Sequence, residues 1–168
     1  SPMSRGLGDV YKRQSKRFVN SLGLDWTKYS TQIEPKDNLA TMISYQENLN
    51  NVLIDFSQDI WLYISKGYIK QLTKDKEVGS STMPHKVNPI DFENAEGNLK
   101  LSNSLLISIK EKIQISRMQR DLSDSTTLRN LGSALSYSYL AITSLIKGLS
   151  KIQACLLYTS PSPRDIGE

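Results

Sequence analysis

Apolar residues recur every three or four positions over three long stretches of the chain, which is the spacing of helices with one buried face. The first stretch, from residue 37 to about residue 71, predicts a long amphipathic helix with Pro35 just before it and Asp37 as its cap. Its predicted core positions are Leu39, Met42, Ile43, Leu49, Leu53, Phe56, Ile60, Tyr63 and Ile64.

The second stretch follows a polar segment, residues 73–88, in which glycine, serine and proline predict a loop. Pro89 suits the first turn of a helix that we expect to reach Lys112, with Gly97 as a weak point. The predicted core positions of this helix are Phe92, Ala95, Leu99, Leu106, Ile109 and Ile113.

The third stretch predicts a helix that begins near Asp124 or Ser125 and has very regular spacing. Its apolar positions are Leu128, Leu131, Leu135, Tyr139, Ile142, Leu145, Leu149 and Ile152. No strand pattern and no internal repeat is found between the chain ends. Three helices with one apolar stripe each do not close a rounded domain, so we expect further helices from the rest of a longer chain or from other subunits.

The two ends of the chain share an unusual origin. Residues 9–14 and 155–160 can be encoded by one short DNA element read on opposite strands, and that element resembles a transposon end used to prepare sequencing libraries. We therefore interpret residues 1–14 and 154–168 as adapter-derived scars and residues 15–153 as the genuine helical domain.

Composition excludes several classes of function. The single cysteine, Cys155, lies in the excluded tail, so no disulfide framework is available and a reducing, cytoplasmic setting fits. A formal net charge of +4, evenly spread, is too small to indicate a nucleic-acid partner. No apolar run is long enough to predict a membrane span.

The loop before the second helix carries the chemistry. Residues 79–89 read GSSTMPHKVNP, which combines a flexible glycine, two adjacent serine hydroxyls, a lysine and a proline at the exit. Such a loop can close on a substrate and offer N–H groups to an anion. A polar connector between helices explains the composition alone equally well.

These residues match the signature GSSxMPxKxNP of the fumarase/aspartase superfamily at every specified position. The resemblance implies an all-α fold, in which this chain is a long-helix bundle fragment of the central helical domain of a homotetrameric lyase. It also implies that Ser80 is the general base that removes a Cβ proton, and that Lys86 stabilises the aci-carboxylate intermediate. Ser81 is the rival base. The acid histidine of the family belongs to an upstream region absent here, and His85 is interpreted as a loop or binding residue.

The flanking segments narrow the resemblance to one branch. Residues 31–35, 90–99 and 119–132 resemble bacterial adenylosuccinate lyases, and the similarity runs from about Phe18 to Gln153. That resemblance implies that Gln32 and Asn94 contact the succinyl or base portion of the substrate. It implies that Arg120, Ser125 and Arg129 hold the nucleotide phosphate. The further substrate-binding positions expected are Ser81, Asn88, Thr126, Thr127 and Leu128.

Chemistry supports the phosphate assignment independently. A helix start offers free N–H groups and a favourable dipole to an anion, and Ser125 lies near such a start. Arg129 follows one turn later on the same face, and Arg120 comes from the preceding loop. A capped helix with surface arginines is the structural alternative.

The function implied by the resemblance is β-elimination of fumarate from adenylosuccinate to give AMP, and from the succinylated aminoimidazole carboxamide ribonucleotide of de novo purine biosynthesis. No cofactor, metal or nucleic acid is expected, and the fragment alone is expected to be inactive. The alternatives are another fumarate-releasing lyase of the superfamily and an inactive helical oligomerisation fragment. The predicted phosphate-binding residues argue against the first alternative, since fumarase, aspartase and argininosuccinate lyase bind no nucleotide phosphate.

Overall fold

A computed structural model describes residues 2–72 and 88–155, with side chains from residue 10 onward. The all-α class is confirmed, because helices account for most of this part of the chain. The elements in chain order are α1 (Pro2–Ser21), α2 (Asp37–Ser65), β1 (Ile69–Gln71), α3 (Ile90–Ile113), α4 (Ser123–Leu128), α5 (Leu131–Leu149) and β2 (Ile152–Ala154).

The chain forms two compact units. Unit 1 joins residues 1–35 with residues 116–121 and contains α1, whereas unit 2 comprises residues 36–115 and 122–168 and contains the other elements. The predicted division into scars and one genuine domain is a statement about origin, and it stays a prediction.

The first predicted helix is shorter than expected. α2 begins at Asp37, but the cap position is Lys36, in a left-handed conformation and without a side-chain capping hydrogen bond, so the assignment of Asp37 as cap was wrong. The helix ends at Ser65 because Gly67 adopts a φ of 77°. The N–H of Gly67 donates to the carbonyl of Ile64, and that of Tyr68 donates to the carbonyl of Tyr63, which is a Schellman ending.

The expectation of no strands was also wrong. β1 pairs antiparallel with β2, with Lys70 opposite Gln153. The N–H of Leu72 donates to the carbonyl of Lys151 at 2.6 Å, which lies next to the paired residues Gln71 and Ile152. Three-residue strands are too short to show the alternating pattern by which strands are recognised in a sequence.

The second helix carries the centre of unit 2. All six of its predicted core residues are buried, so this prediction is confirmed. They divide between two apolar clusters, one around Ile43 and Leu106 and one around Ile60 and Phe92. α3 contributes to both clusters and lies against α2 and α5.

Buried polar side chains join the three helices between these clusters. The Asn50 amide donates to Ser102 Oγ at 3.0 Å, and its Oδ1 accepts from Ser138 Oγ at 2.8 Å. Ser102 Oγ in turn donates to the carbonyl of Ala134. Since each buried polar group has a partner only in this alignment, the network fixes how α2, α3 and α5 lie along one another.

The third predicted helix is divided into two helices, and the second of these buries a different face from the one predicted. Its chain forms α4 and α5 with a turn at Arg129 and Asn130, and it ends at Leu149. Several residues of the predicted stripe are exposed: Leu135, Tyr139 and Leu149. The face toward the core is instead made of small residues and one leucine: Ala134, Ser138, Ala141, Leu145 and Gly148.

α5 is rotated about its axis relative to the prediction because of close packing. Small side chains let α5 approach α3 more closely than leucines would. At the end of α5, a Cβ atom on Gly148 would lie 2.9 Å from two ring carbons of Phe92. The large residues of the stripe then point away from unit 2. On α2, Met42, Leu49 and Tyr63 are exposed in the same way.

We predict that Gly148→Ala lowers the free energy of unfolding by about 1–3 kcal/mol, because Phe92 is buried and its ring has little room to yield. The control is Gly132→Ala, whose added Cβ meets nothing within 4 Å and which should raise stability by up to about 1 kcal/mol. Urea unfolding at one protein concentration measures both. Equal stability of the two variants would contradict the close approach of α5 to α3.

Candidate functional site

Part of the predicted site cannot be placed. Ser80, Ser81, His85 and Lys86 belong to the signature loop and lie outside the described residues. The other predicted residues fall at three places: the start of α3, the turn from α4 to α5, and unit 1. Each place is described separately below.

Asn88 and Asn94 lie at the start of α3. Asn88 is exposed, and its carbonyl accepts the N–H of Ile90 at 2.8 Å just before the helix begins. The Asn94 amide donates to Ser144 Oγ of α5 at 3.1 Å, and its Oδ1 accepts from the amide of Asn98. Asn94 is therefore held in place, and it keeps a second N–H with which it could contact a ligand.

A buried ion pair also lies at this end of α3. Lys151 Nζ is 3.0 Å from Asp91 Oδ2, and the two side chains are only 7% and 11% exposed. Lys147 Nζ is 3.2 Å from the other oxygen of Asp91, but its side chain is 62% exposed. Burial raises the pKa of Asp91, yet the hydrogen bonds and charges of Lys151 and Lys147 outweigh burial and leave the pKa below its ordinary value of 3.8.

Neither Asp91 nor Lys151 stands out in the sequence. An acidic residue in the first turn of a helix is common, and a lysine beyond the end of another helix is usually solvated. The two residues are far apart in the sequence, so no local spacing could have indicated the pair. Only the antiparallel arrangement of α3 and α5 brings them together.

Ser125 and Arg129, two of the three residues predicted to hold the phosphate, lie at the opposite end of α3. Asp124 of α4 is buried, and its Oδ1 is 2.9 Å from Lys112 Nζ near the end of α3. Ser125 and Arg129 are both exposed, and the backbone is helical through Arg129, so their side chains lie one turn apart on the same face. Lys112 and Asp124 thus hold this turn against α3.

Other residues of the turn are less available to a ligand. The N–H of Ser125 donates to the carbonyl of Leu122 at 3.2 Å, so Ser125 would offer its hydroxyl to a ligand. The Thr127 hydroxyl donates to the carbonyl of Ser123 at 3.2 Å and is therefore already engaged. Leu128 packs against the cluster around Ile43, whereas Thr126 is exposed.

Gln32 and Arg120 belong to unit 1. The N–H of Gln32 donates to the carbonyl of Gln119 at 3.4 Å, which places Gln32 beside the residue that precedes Arg120. The side chains of Gln32 and Arg120 are both exposed. Two residues that were assigned to different portions of the substrate are therefore neighbours.

Residues 2–72 and 88–155 contain neither a metal-ligating cluster nor a membrane-spanning helix. No group of three or more histidine, cysteine, aspartate or glutamate side chains there could hold a metal ion. No helix of that part of the chain has both the length and the apolarity to cross a membrane.

Comparison with known proteins gives consistent matches along the chain. A family model described as lyase matches residues 9–103, and one described as adenylosuccinate lyase C-terminal matches residues 116–157. The chain belongs to the adenylosuccinate lyase family. The signature loop, Gln32 and Asn94 fall in the first matched range, and the residues from Arg120 to Arg129 fall in the second.

Individual relatives are adenylosuccinate lyases from several bacteria. The chain is 59% identical to that of Legionella pneumophila strain Corby over 143 residues, which is 85% of this chain and 31% of the relative. It is 55% identical to that of Buchnera aphidicola subsp. Acyrthosiphon pisum and 53% identical to that of Escherichia coli K12, each over 139 residues, 83% of this chain and 30% of the relative. The chain thus spans less than a third of the length of these members of the adenylosuccinate lyase family.

The ion pair at Asp91 predicts a pH-dependent stability. Because its pKa is lowered in the folded state, Asp91 contributes stability that is fully present above its unfolded pKa of about 4 and is lost as pH falls through the folded value. We expect the difference in unfolding free energy between the parent and Asp91→Asn to be constant above about pH 5 and to shrink below about pH 4.

Urea unfolding at a series of pH values measures this difference, and Asp55→Asn, at an exposed position of α2, controls for the loss of one negative charge. A difference that stays constant to about pH 2 would show that ionisation of Asp91 does not stabilise the fold.

Proposed function

We propose that the protein to which this chain belongs is an adenylosuccinate lyase. It releases fumarate from adenylosuccinate to leave AMP, and from the succinylated aminoimidazole carboxamide ribonucleotide, in purine biosynthesis. The observation that supports this most strongly is that the two family models match in succession along the chain and together include every proposed site residue. Activity, substrates and partners of the whole protein all form part of the proposal.

The reaction follows from the chemistry of the signature loop. Ser80, as alkoxide, removes a proton from the Cβ of the succinyl group, and the electron pair moves onto the adjacent carboxylate to form an aci-carboxylate. The ammonium of Lys86 stabilises this extra negative charge. The electron pair then forms the double bond of fumarate as the C–N bond breaks, and the leaving nitrogen takes a proton from a histidine that this chain does not supply.

The nucleotide is held by the turn between α4 and α5. The Ser125 hydroxyl and the Arg129 guanidinium are exposed on one face of this turn and can both bind phosphate oxygens, with Arg120 as a further cation. Gln32 and Asn94 bind the succinyl or base portion, and Asn88 is a further substrate-binding residue. Thr126 offers its hydroxyl, whereas Thr127 and Leu128 contribute mainly through their backbone.

The dimensions of α3 indicate how the complete site is assembled. The signature loop leads into its first turn, while Lys112 near its last turn holds the phosphate-binding turn. At 1.5 Å per residue, the 24 residues of α3 place its first turn about 35 Å from its last turn, further than one nucleotide substrate reaches. The loop and the phosphate turn of one chain therefore serve different active sites.

Such sharing requires an oligomer, and we propose a homotetramer in the cytoplasm. The exposed apolar residues of α2 and α5, among them Met42, Leu49 and Tyr139, are available to pack against other subunits. Because one chain does not contain a complete site, the chain alone should be inactive.

The alternatives make different use of the same residues. A superfamily lyase with another substrate would need the signature loop but not the exposed Ser125 and Arg129. An inactive oligomerisation segment would need neither. We therefore favour the nucleotide-cleaving enzyme.

We predict that Ser80→Ala abolishes fumarate release while substrate still binds. The test uses a chimera in which residues 15–153 replace the matching segment of the Legionella pneumophila relative. Ultraviolet absorbance follows fumarate, and calorimetry measures binding of adenylosuccinate. Loss of a general base should lower kcat by about 10²-fold or more.

Ser81→Ala is the matched control, because it removes an adjacent hydroxyl in the same loop. Near-normal release by Ser80→Ala together with loss in Ser81→Ala would transfer the base role to Ser81. Absence of fumarate release by the unsubstituted, tetrameric chimera would refute the proposed function.

A further inference from the structure

Both stems of the signature segment are attached to the same residue, Lys151. On the first stem, the N–H of Leu72 donates to the main-chain carbonyl of Lys151 at 2.6 Å. On the second stem, Lys151 Nζ is 3.0 Å from Asp91 Oδ2 in the first turn of α3. Residues 73–87 lie between these two attachments.

The local fold explains why Lys151 can make both contacts. α5 ends at Leu149, and the N–H of Lys151 donates to the carbonyl of Gly148 at 3.0 Å, which turns the chain into β2. Pairing of β2 with β1 brings Leu72 to the main chain of Lys151. The absence of a side chain at Gly148 lets this end of α5 lie against Phe92, next to Asp91.

The contact to Asp91 is protected from water. The Lys151 side chain is 7% exposed, so neither charged group can become fully hydrated unless its side chain moves. Lys147 also contacts Asp91, but its exposed ammonium can return to solvent and is a weaker constraint. A buried, hydrogen-bonded charge pair holds its partners in one geometry, and removal of one partner leaves an uncompensated charge.

We propose that Lys151 is a positioning residue for the elimination reaction. Its main chain holds the stem before the signature loop at Leu72, and its ammonium holds the stem after the loop at Asp91. Lys151 does not touch the substrate. This inference rests on the proposed function, because it holds that Lys151, a residue outside the signature loop, positions a loop that is catalytic.

The physical basis is the steep dependence of catalysis on geometry. A misplacement of about 1 Å in reacting groups can lower a rate by about 10²-fold while binding is largely kept. Loss of the ammonium would release the second stem directly. The first stem is bound through the main chain of the same residue and would loosen with it.

The experiment uses the chimera and four variants. Lys151→Met removes the ammonium but keeps the length of the side chain, Lys151→Arg restores a cation, and Asp91→Asn removes the charge of the partner. Lys100→Met is the matched control, because Lys100 is a lysine of α3 that pairs with Glu96 and is 57% exposed. All variants are compared as purified tetramers.

We expect Lys151→Met and Asp91→Asn to lower kcat by about 10- to 100-fold with KM changed by less than about twofold. Lys151→Arg should recover most of the lost rate, and Lys100→Met should match the parent. Hydrogen exchange of the N–H groups of Leu72 and Phe92 should be faster in Lys151→Met and unchanged in Lys100→Met.

A normal kcat in tetrameric Lys151→Met and Asp91→Asn would overturn the proposal, as would a lower kcat without faster exchange at the two stems. If Lys151→Met yields no tetramer, Lys151→Arg and Asp91→Asn give the same comparison. If the unsubstituted chimera folds but releases no fumarate, the proposed function fails. Hydrogen exchange then still decides whether Lys151 couples the two stems.

Discussion

The close approach of α5 to α3 is the constraint on which the rest of unit 2 depends. Ala134, Ser138, Ala141 and Gly148 leave the surface of α5 nearly flat, so that it lies directly against α3. Only at this separation can Ser138 reach Asn50 and Lys151 reach Asp91. Larger residues on this face would separate the helices, leave the polar network without partners and release the chain segments that the end of α5 holds.

α3 also separates two parts of the chemistry by its own length. Its first turn follows the signature loop in the chain, and its last turn holds the proposed phosphate-binding turn through Lys112 and Asp124. The same helix is therefore both the centre of the apolar core and the element that separates Asn94, near its start, from the proposed phosphate-binding turn at its end. If one site needs several subunits, as proposed, exposed apolar side chains such as that of Tyr139 are available for contacts between them.

The sequence predicted α3 best. This helix packs against α2 and α5 of its own unit, so the apolar positions in its sequence are the positions buried in the structure. It misled for α5, where the most regular apolar stripe includes Leu135 and Leu149, which are exposed, while small residues form the buried face. A stripe reports that a face is apolar but not which partner covers it. Gly67 ended α2 through a positive φ that periodicity does not reveal. The assignments of Ser80, Lys86 and the phosphate-binding residues came from matching motifs, whereas the pair of Asp91 and Lys151 required the tertiary structure.

The central claim is that the loop and the phosphate turn of one chain belong to different active sites. Mixing two inactive chimeras, one with Ser80→Ala and one with Arg129→Ala, tests it most directly after subunit exchange. Fumarate release is measured at a substrate concentration at which neither variant alone is active. The account predicts that activity returns at up to about a quarter of the sites in an equal mixture, because those sites receive Ser80 from one chain and Arg129 from another. Mixed tetramers, verified by native mass spectrometry, that regain no activity would contradict it.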